Sequence, residues 1–186
     1  MTSRPFTRLG TLAMAGHVSL ELAAGVGLPL ASLVGPVPAA AALAICTRAV
    51  WRLAGDTSAP VDGRLGFWNG LSLAAAIAHL RAWPRRRSRA GLPLLVECEG
   101  LGERLMPAYN ALIYVGAGSA VVALIREDRS GPRWPALVGI SATPLLVVVQ
   151  RIEHRRLRER ARTRPGWWNR TLQPPARPLT AVMADI

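Results

Sequence analysis

The sequence predicts an all-α protein, a polytopic transmembrane bundle of about five hydrophobic helices that ends in a basic C-terminal helix and tail. Three observations predict it. Apolar residues make up 51% of the 186 and are gathered into long runs separated by Arg-rich stretches, the pattern of a multi-pass membrane protein rather than of an oily soluble one. Five of these runs approach the roughly 20 residues that carry a helix across a bilayer. All six tryptophans (Trp51, Trp68, Trp83, Trp134, Trp167 and Trp168) fall near or beyond the ends of the runs, as an aromatic belt at the two interfaces requires; a soluble core would bury them mid-run.

The first run extends from Leu9 to Val34. Arg4 and Arg8 before it imitate a signal peptide, but the run is too long for such a segment and lacks a convincing cleavage pattern, so it reads as a retained span. Gly35-Pro36-Val37-Pro38 marks a turn, and the second run, Val37 to Ala54, folds back as a tight antiparallel hairpin. The third run is Gly66 to Trp83. Gly91 to Val96 is too short to cross and reads as an interfacial or re-entrant segment. The fourth run, Met106 to Ile125, carries no charge, and Gly131-Pro132 turns the chain into the fifth, Trp134 to Gln150. Small residues in runs three and four (Ala74, Ala75 and Ala78; Ala111, Gly116 and Ala120) let helices approach closely in lipid. Seven Arg within Arg151–Arg164 continue the fifth run as a cytoplasmic helix until Pro165, and the chain from Gln173 on is Pro-rich and reads as disordered. The organisation is thus an N-terminal tail (1–8), a transmembrane domain (9–151) and a basic tail (152–186).

All 23 basic residues are Arg, and the formal net charge is +12. No binding site demands Arg at every position; GC-rich coding is the simpler cause and points to the plasma membrane of a high-GC bacterium. Because the Arg residues flank apolar runs, their expected partner is anionic lipid headgroups and not nucleic acid. Two spans separate the cluster Arg81, Arg85, Arg86, Arg87 and Arg89 from the cluster in the tail, so both can face the cytoplasm, with the C-terminus. Five spans then put Arg48 and Arg52 outside, against that bias, which leaves the N-terminal orientation open. Cys46 and Cys98 belong to no CxxC and imply neither a disulfide framework nor a zinc knuckle.

The polar groups inside the runs need a reason. His17 and Glu21 are four residues apart and share one helix face. Folding the first two runs about position 36 brings Arg48 and Arg52 level with Glu21, and the plainer reading is an ion pair that locks the hairpin. The sharper reading is a metal or proton site, since imidazole and carboxylate suit zinc or iron. Two donors do not make a site, HExxH is absent, and no metal or cofactor is expected. Bis-His haem through His17 and His79 is disfavoured because counting from the starts of their runs separates them by roughly 7–8 Å in depth. His79 with Glu97 and Glu99 forms a candidate acid–base set, whose plainer role is to balance the nearby Arg cluster at the surface. Asn69, Tyr109 and Asn110 complete the intramembrane polar candidates. No phosphate loop, GxSxG elbow or Cys/His nucleophile pair is found, and the loops are too short for a soluble catalytic domain.

Three function classes fit. The first is an accessory or assembly subunit that docks on other membrane subunits or a second copy of itself. The second is a small transporter or proton/ion pathway using His17, Glu21 and Asn69. The third is a membrane-embedded enzyme acting on a lipid or prenyl substrate through His79, Glu97 and Glu99. The expectation is the first, because no polar constellation in the sequence is dense enough to demand chemistry.

Overall fold

The computed structural model describes residues 4–56, 58–128 and 131–173; the Pro-rich segment expected to be disordered lies almost wholly outside them. The chain is mostly helical, in agreement with the all-α class. It runs α1 (Pro5–Ala24), α2 (Ala31–Val34), α3 (Pro36–Leu53), α4 (Ala59–Ala82), β1 (Arg85–Arg87), β2 (Pro93–Leu95), α5 (Met106–Arg126), α6 (Trp134–Ser141) and α7 (Thr143–Thr163), with 3-10 turns at Glu103–Leu105 and Trp167–Leu172. Among the described residues two helical stretches are long and apolar enough to cross a membrane, Glu103–Arg126 and Trp134–Thr163, with mean hydropathies of 1.7 and 1.5.

The first apolar run does not stay helical to Val34. Gly25, at φ 81°, ends α1 with the left-handed cap that glycine favours, and the N–H of Val26 donates to the Glu21 carbonyl at 3.0 Å. The chain therefore turns back before Gly35. Arg8 stacks over the Trp51 ring at 4.9 Å, so the hairpin folds near residue 30, midway between them, and not at 36. The fifth run is broken as well. Pro144 cannot donate to the carbonyl of Ile140, and the Thr143 hydroxyl takes that carbonyl instead at 2.7 Å, so α6 gives way to α7 at Ala142.

The long helices alternate in direction. α1 and α4 are parallel: Asn69 donates to the Thr7 hydroxyl at 3.1 Å, an offset of 62 residues, and His17 meets His79 at the same offset. α5 is antiparallel to α1. Glu127, just past its end, accepts from the N–H groups of Phe6 and Thr7 at 2.7 and 3.0 Å and so caps α1, while Tyr109 near its start reaches Glu21. α6 and α7 run parallel to α4. Here small residues allow backbone contact: a Cβ at Gly70 would lie 2.3 Å from the Ala136 carbonyl oxygen, and one at Gly139 would lie 2.5 Å from that of Phe67.

Two distinct ends result. At one, the buried Arg4–Asp62 ion pair stands beside Asn69, Glu127 and Asp128. At the other lie both Arg clusters: the hairpin formed by β1 and β2, and the outer half of α7. Gly91–Val96 is thus no re-entrant segment, since Pro93–Leu95 pairs antiparallel with Arg85–Arg87. The strand is pinned to α5 by Asn110, whose Oδ1 accepts from the Leu95 N–H and whose Nδ2 donates to the Leu95 carbonyl, both at 2.9 Å, and by the Tyr114 hydroxyl, which donates to the Pro93 carbonyl. The 3-10 turn Trp167–Leu172 returns to the same end, where the Thr171 N–H donates to the Gly25 carbonyl at 3.0 Å.

Candidate functional site

His17, Glu21, His79 and Tyr109 come from three helices and meet inside the bundle at its basic end. Glu21 and His79 each stand three residues before the C-terminus of their helix, and Tyr109 stands in the first turn of α5. The site is therefore about one helical turn, roughly 5 Å, inside that end. The helix spacing places His17 and Glu21 on the same face of α1, and the parallel register of α4 supplies His79 opposite them.

All four side chains are buried. The Tyr109 hydroxyl donates to Glu21 Oε1 at 2.5 Å, and the Cys98 thiol donates to the Tyr109 oxygen at 3.3 Å. His79 Nε2 stands 3.9 Å from Glu21 Oε1, while its Nδ1 lies 2.8 Å from the Ala75 carbonyl oxygen and 2.8 Å from the Gln150 amide group of α7. The Ala75 carbonyl can only accept and the Gln150 Nε2 amide can only donate, so the two contacts on Nδ1 favour opposite tautomers of the ring; with the proton on Nδ1, Nε2 presents its lone pair to Glu21. The His17 ring meets His79 edge-on at 5.3 Å and Tyr109 at 5.9 Å, and its Nδ1 is buried without a hydrogen-bond partner.

The loop from β2 to α5 closes over the site. Glu99, at φ 52°, and Gly100, at φ 90°, occupy the centre of a tight turn closed by the Leu101 N–H on the Cys98 carbonyl at 2.7 Å. A left-handed glutamate is strained, and here the strain accompanies a carboxylate turned toward Glu21. Ligand atoms of Glu21, Cys98 and Glu99 all lie within 4.8 Å of one another. Burial, and after it repulsion from Glu153, pushes the Glu99 carboxyl up to about 7. Burial also pushes the Cys98 thiol up, so it remains a thiol and not a thiolate nucleophile. One turn further out, Trp83 and His154 pack edge-on at 4.9 Å, so His154 is not the solvated side chain its Arg-rich surroundings suggest. Beside them is a cleft of about 460 Å³ lined by Glu97, Arg158 and Arg162 among others.

The structure sorts the remaining candidates. Arg48 and Arg52 are exposed on α3, at the end that lies beside the start of α1, and Glu21 is not their partner: moving the fold point from 36 to near 30 removes the ion pair the sequence suggested. Asn69 is buried at the opposite end, where it also donates to Asp128 at 2.9 Å; Asn110 holds β2. Glu97 is exposed, whereas Glu99 turns inward. His17 and His79 are level, contrary to the depth arithmetic, because side-chain bonds and not helix starts set the register. What disfavours haem is room: the two imidazoles touch each other and Tyr109 packs against both. Sequence reasoning missed Gln150 and the inward role of Cys98. The recurrence His79/Trp83 against Gln150/His154, each pair four apart, was the signal that could have found the α7 contribution.

No protein-family model matches the chain, nor does any curated protein or solved structure.

Proposed function

We propose that the protein is a five-helix integral plasma-membrane protein of bacterial origin, and that it moves protons or cations through the His17–Glu21–His79–Tyr109 site. The convergence of these four buried groups from three helices carries this reading, since ionisable side chains inside a membrane bundle mark ion and proton paths. The outer surface supports the membrane setting: Leu12, Val37, Ile45, Ile125, Leu137 and Leu145 are between 50 and 72% exposed, as lipid-facing side chains would be. A second polar group, Thr7, Thr11, Asn69 and Ser72, lies in the same α1/α4 seam toward the opposite end. The gathering of both Arg clusters at the site's end favours placing that end, and the C-terminus, in the cytoplasm. The accessory-subunit reading rests on small-residue faces and the basic tail; of those small residues Ala74, Ala78 and Ala120 are buried within the chain and Gly10 approaches Gly116 and Ser119, whereas Ala111 is exposed.

The test is flux. Vesicles containing the purified protein and a pH-sensitive dye are given a pH gradient. Wild type should dissipate it at least about tenfold faster than Glu21→Gln, a fall expected of a general acid–base step losing its group. Equal rates in wild type, Glu21→Gln and protein-free vesicles overturn the reading.

A further inference from the structure

We propose that His17, Glu21 and His79 bind a divalent transition-metal ion, of the zinc or ferrous class, which would be the cation this site handles; the proposal rests on the reading just given for the site, but its chemistry is tested separately.

The donor set points to this class. Two imidazoles and a carboxylate suit zinc and iron, whereas magnesium and calcium take oxygen donors. Ligand atoms of His17, Glu21 and His79 all lie within 4.8 Å of one another, and all three residues are buried. Bonds of about 2.0–2.2 Å to a tetrahedral ion hold neighbouring donors about 3.4 Å apart. Closure by up to about 1.4 Å, within reach of side-chain torsions, would complete the set.

Three further features fit a ligand shell better than a bare hydrogen-bond network. His79 has the outer partner a ligating imidazole uses: the Ala75 carbonyl, 2.8 Å from Nδ1, can accept that nitrogen's proton, and in this tautomer the Nε2 lone pair faces Glu21. His17 is only 3% exposed, yet its Nδ1 has no hydrogen-bond partner. Such a group is uncommon in a buried site and is accounted for if Nδ1 is itself a metal ligand. Glu21 has an outer partner in Tyr109, as ligating carboxylates do. Charge is consistent too. A dication in an apolar bundle needs about two negative charges nearby, and Glu99 stands beside Glu21 as the second carboxylate. Cys98 and Glu99 stand beside Glu21, where they could supply a fourth donor.

The experiment uses the full chain, purified in mild detergent, stripped with a chelator and titrated with Co²⁺, whose visible absorption reports coordination by nitrogen and oxygen. The expected result is one tightly bound equivalent with an intense tetrahedral or five-coordinate band, displaced by Zn²⁺. His17→Ala, His79→Ala and Glu21→Gln should each weaken Co²⁺ binding by at least about 100-fold, and Tyr109→Phe, which keeps all three ligands, by about tenfold. The proposal is overturned if wild type gives only the pale spectrum of hydrated Co²⁺, or if folded His17→Ala and His79→Ala bind as wild type does. Should those variants fail to fold, the wild-type band and its stoichiometry decide alone. Co²⁺ binding without flux would keep the metal and sink the pathway; proton flux without Co²⁺ binding would do the reverse.

Discussion

Asp128 shows how one carboxylate can be held in place and still be ill at ease. Its Oδ2 accepts from Asn69 at 2.9 Å, but its Oδ1 is buried without a partner. Burial pushes its carboxyl up from 3.8 to about 6. The folded protein therefore binds this proton more tightly than the unfolded chain, and the associated stability is complete below pH 3.8 and lost as pH rises to about 6. Thermal unfolding in detergent across this range should show a steeper decline in wild type than in Asp128→Asn, whose side-chain oxygen can still accept from Asn69 and in which only the other raised carboxyls, Glu99 among them, still titrate. An equal decline in both would assign the proton elsewhere. At this scale the sequence was informative about type and silent about pairing. His17, Glu21, His79 and Tyr109 could be singled out because polar groups in apolar runs are conspicuous. Their mutual contact could not, because it depends on which helix faces which, and a helix carries its neighbours' register nowhere in its own pattern. Glu21 illustrates this: a carboxylate in an apolar run needs a partner, and a turn at Gly35 selects Arg48 or Arg52, whereas the helix ends at Gly25 and the partner is Tyr109.

Between elements, backbone approach matters more than apolar area. α4 and α6 meet through Gly70 and Gly139, where an added Cβ would strike backbone atoms that cannot turn aside. Gly70→Ala should destabilise the protein by about 1–3 kcal/mol through overpacking, measurable as a lower midpoint in denaturant; a change below about 0.5 kcal/mol would mean that the two helices separate easily. Because α6 continues into α7, the same substitution should also disturb Gln150 beside His79. The existence and approximate length of most helices were legible from hydropathy alone. The breaks at Gly25 and Ala142 were not read, although Gly25-Val26-Gly27 and Pro144 announce them locally, since both sit inside runs whose average hydropathy continues unbroken. The strand pair was hidden for a different reason: three residues of Arg and three of Pro-Leu-Leu have no periodicity to show.

For the whole molecule, the alternation of α1, α3, α4, α5 and α6–α7 implies that the two termini emerge on opposite faces if all five cross. The basic end carries Arg85–Arg87 and the outer half of α7, so the C-terminus should be cytoplasmic and the N-terminus outside. Reporter tags on each terminus, probed by a membrane-impermeant protease on intact cells and on inverted vesicles, should give opposite protection. Two tags protected together would reduce the number of crossing helices to an even count and overturn the five-span topology.

The joint of Asn69 with Thr7 stands ten residues, about 15 Å, from the two imidazoles it brings level. It works as a gauge: α1 and α4 are set against each other at one edge of the bundle, and the separation of His17 from His79 is read off at the other. A slip of one helical turn at the joint would carry His79 past His17 by about 5.4 Å and part the two rings. The fine adjustment of the buried centre thus resides in two plain hydroxyl and amide side chains that never touch it.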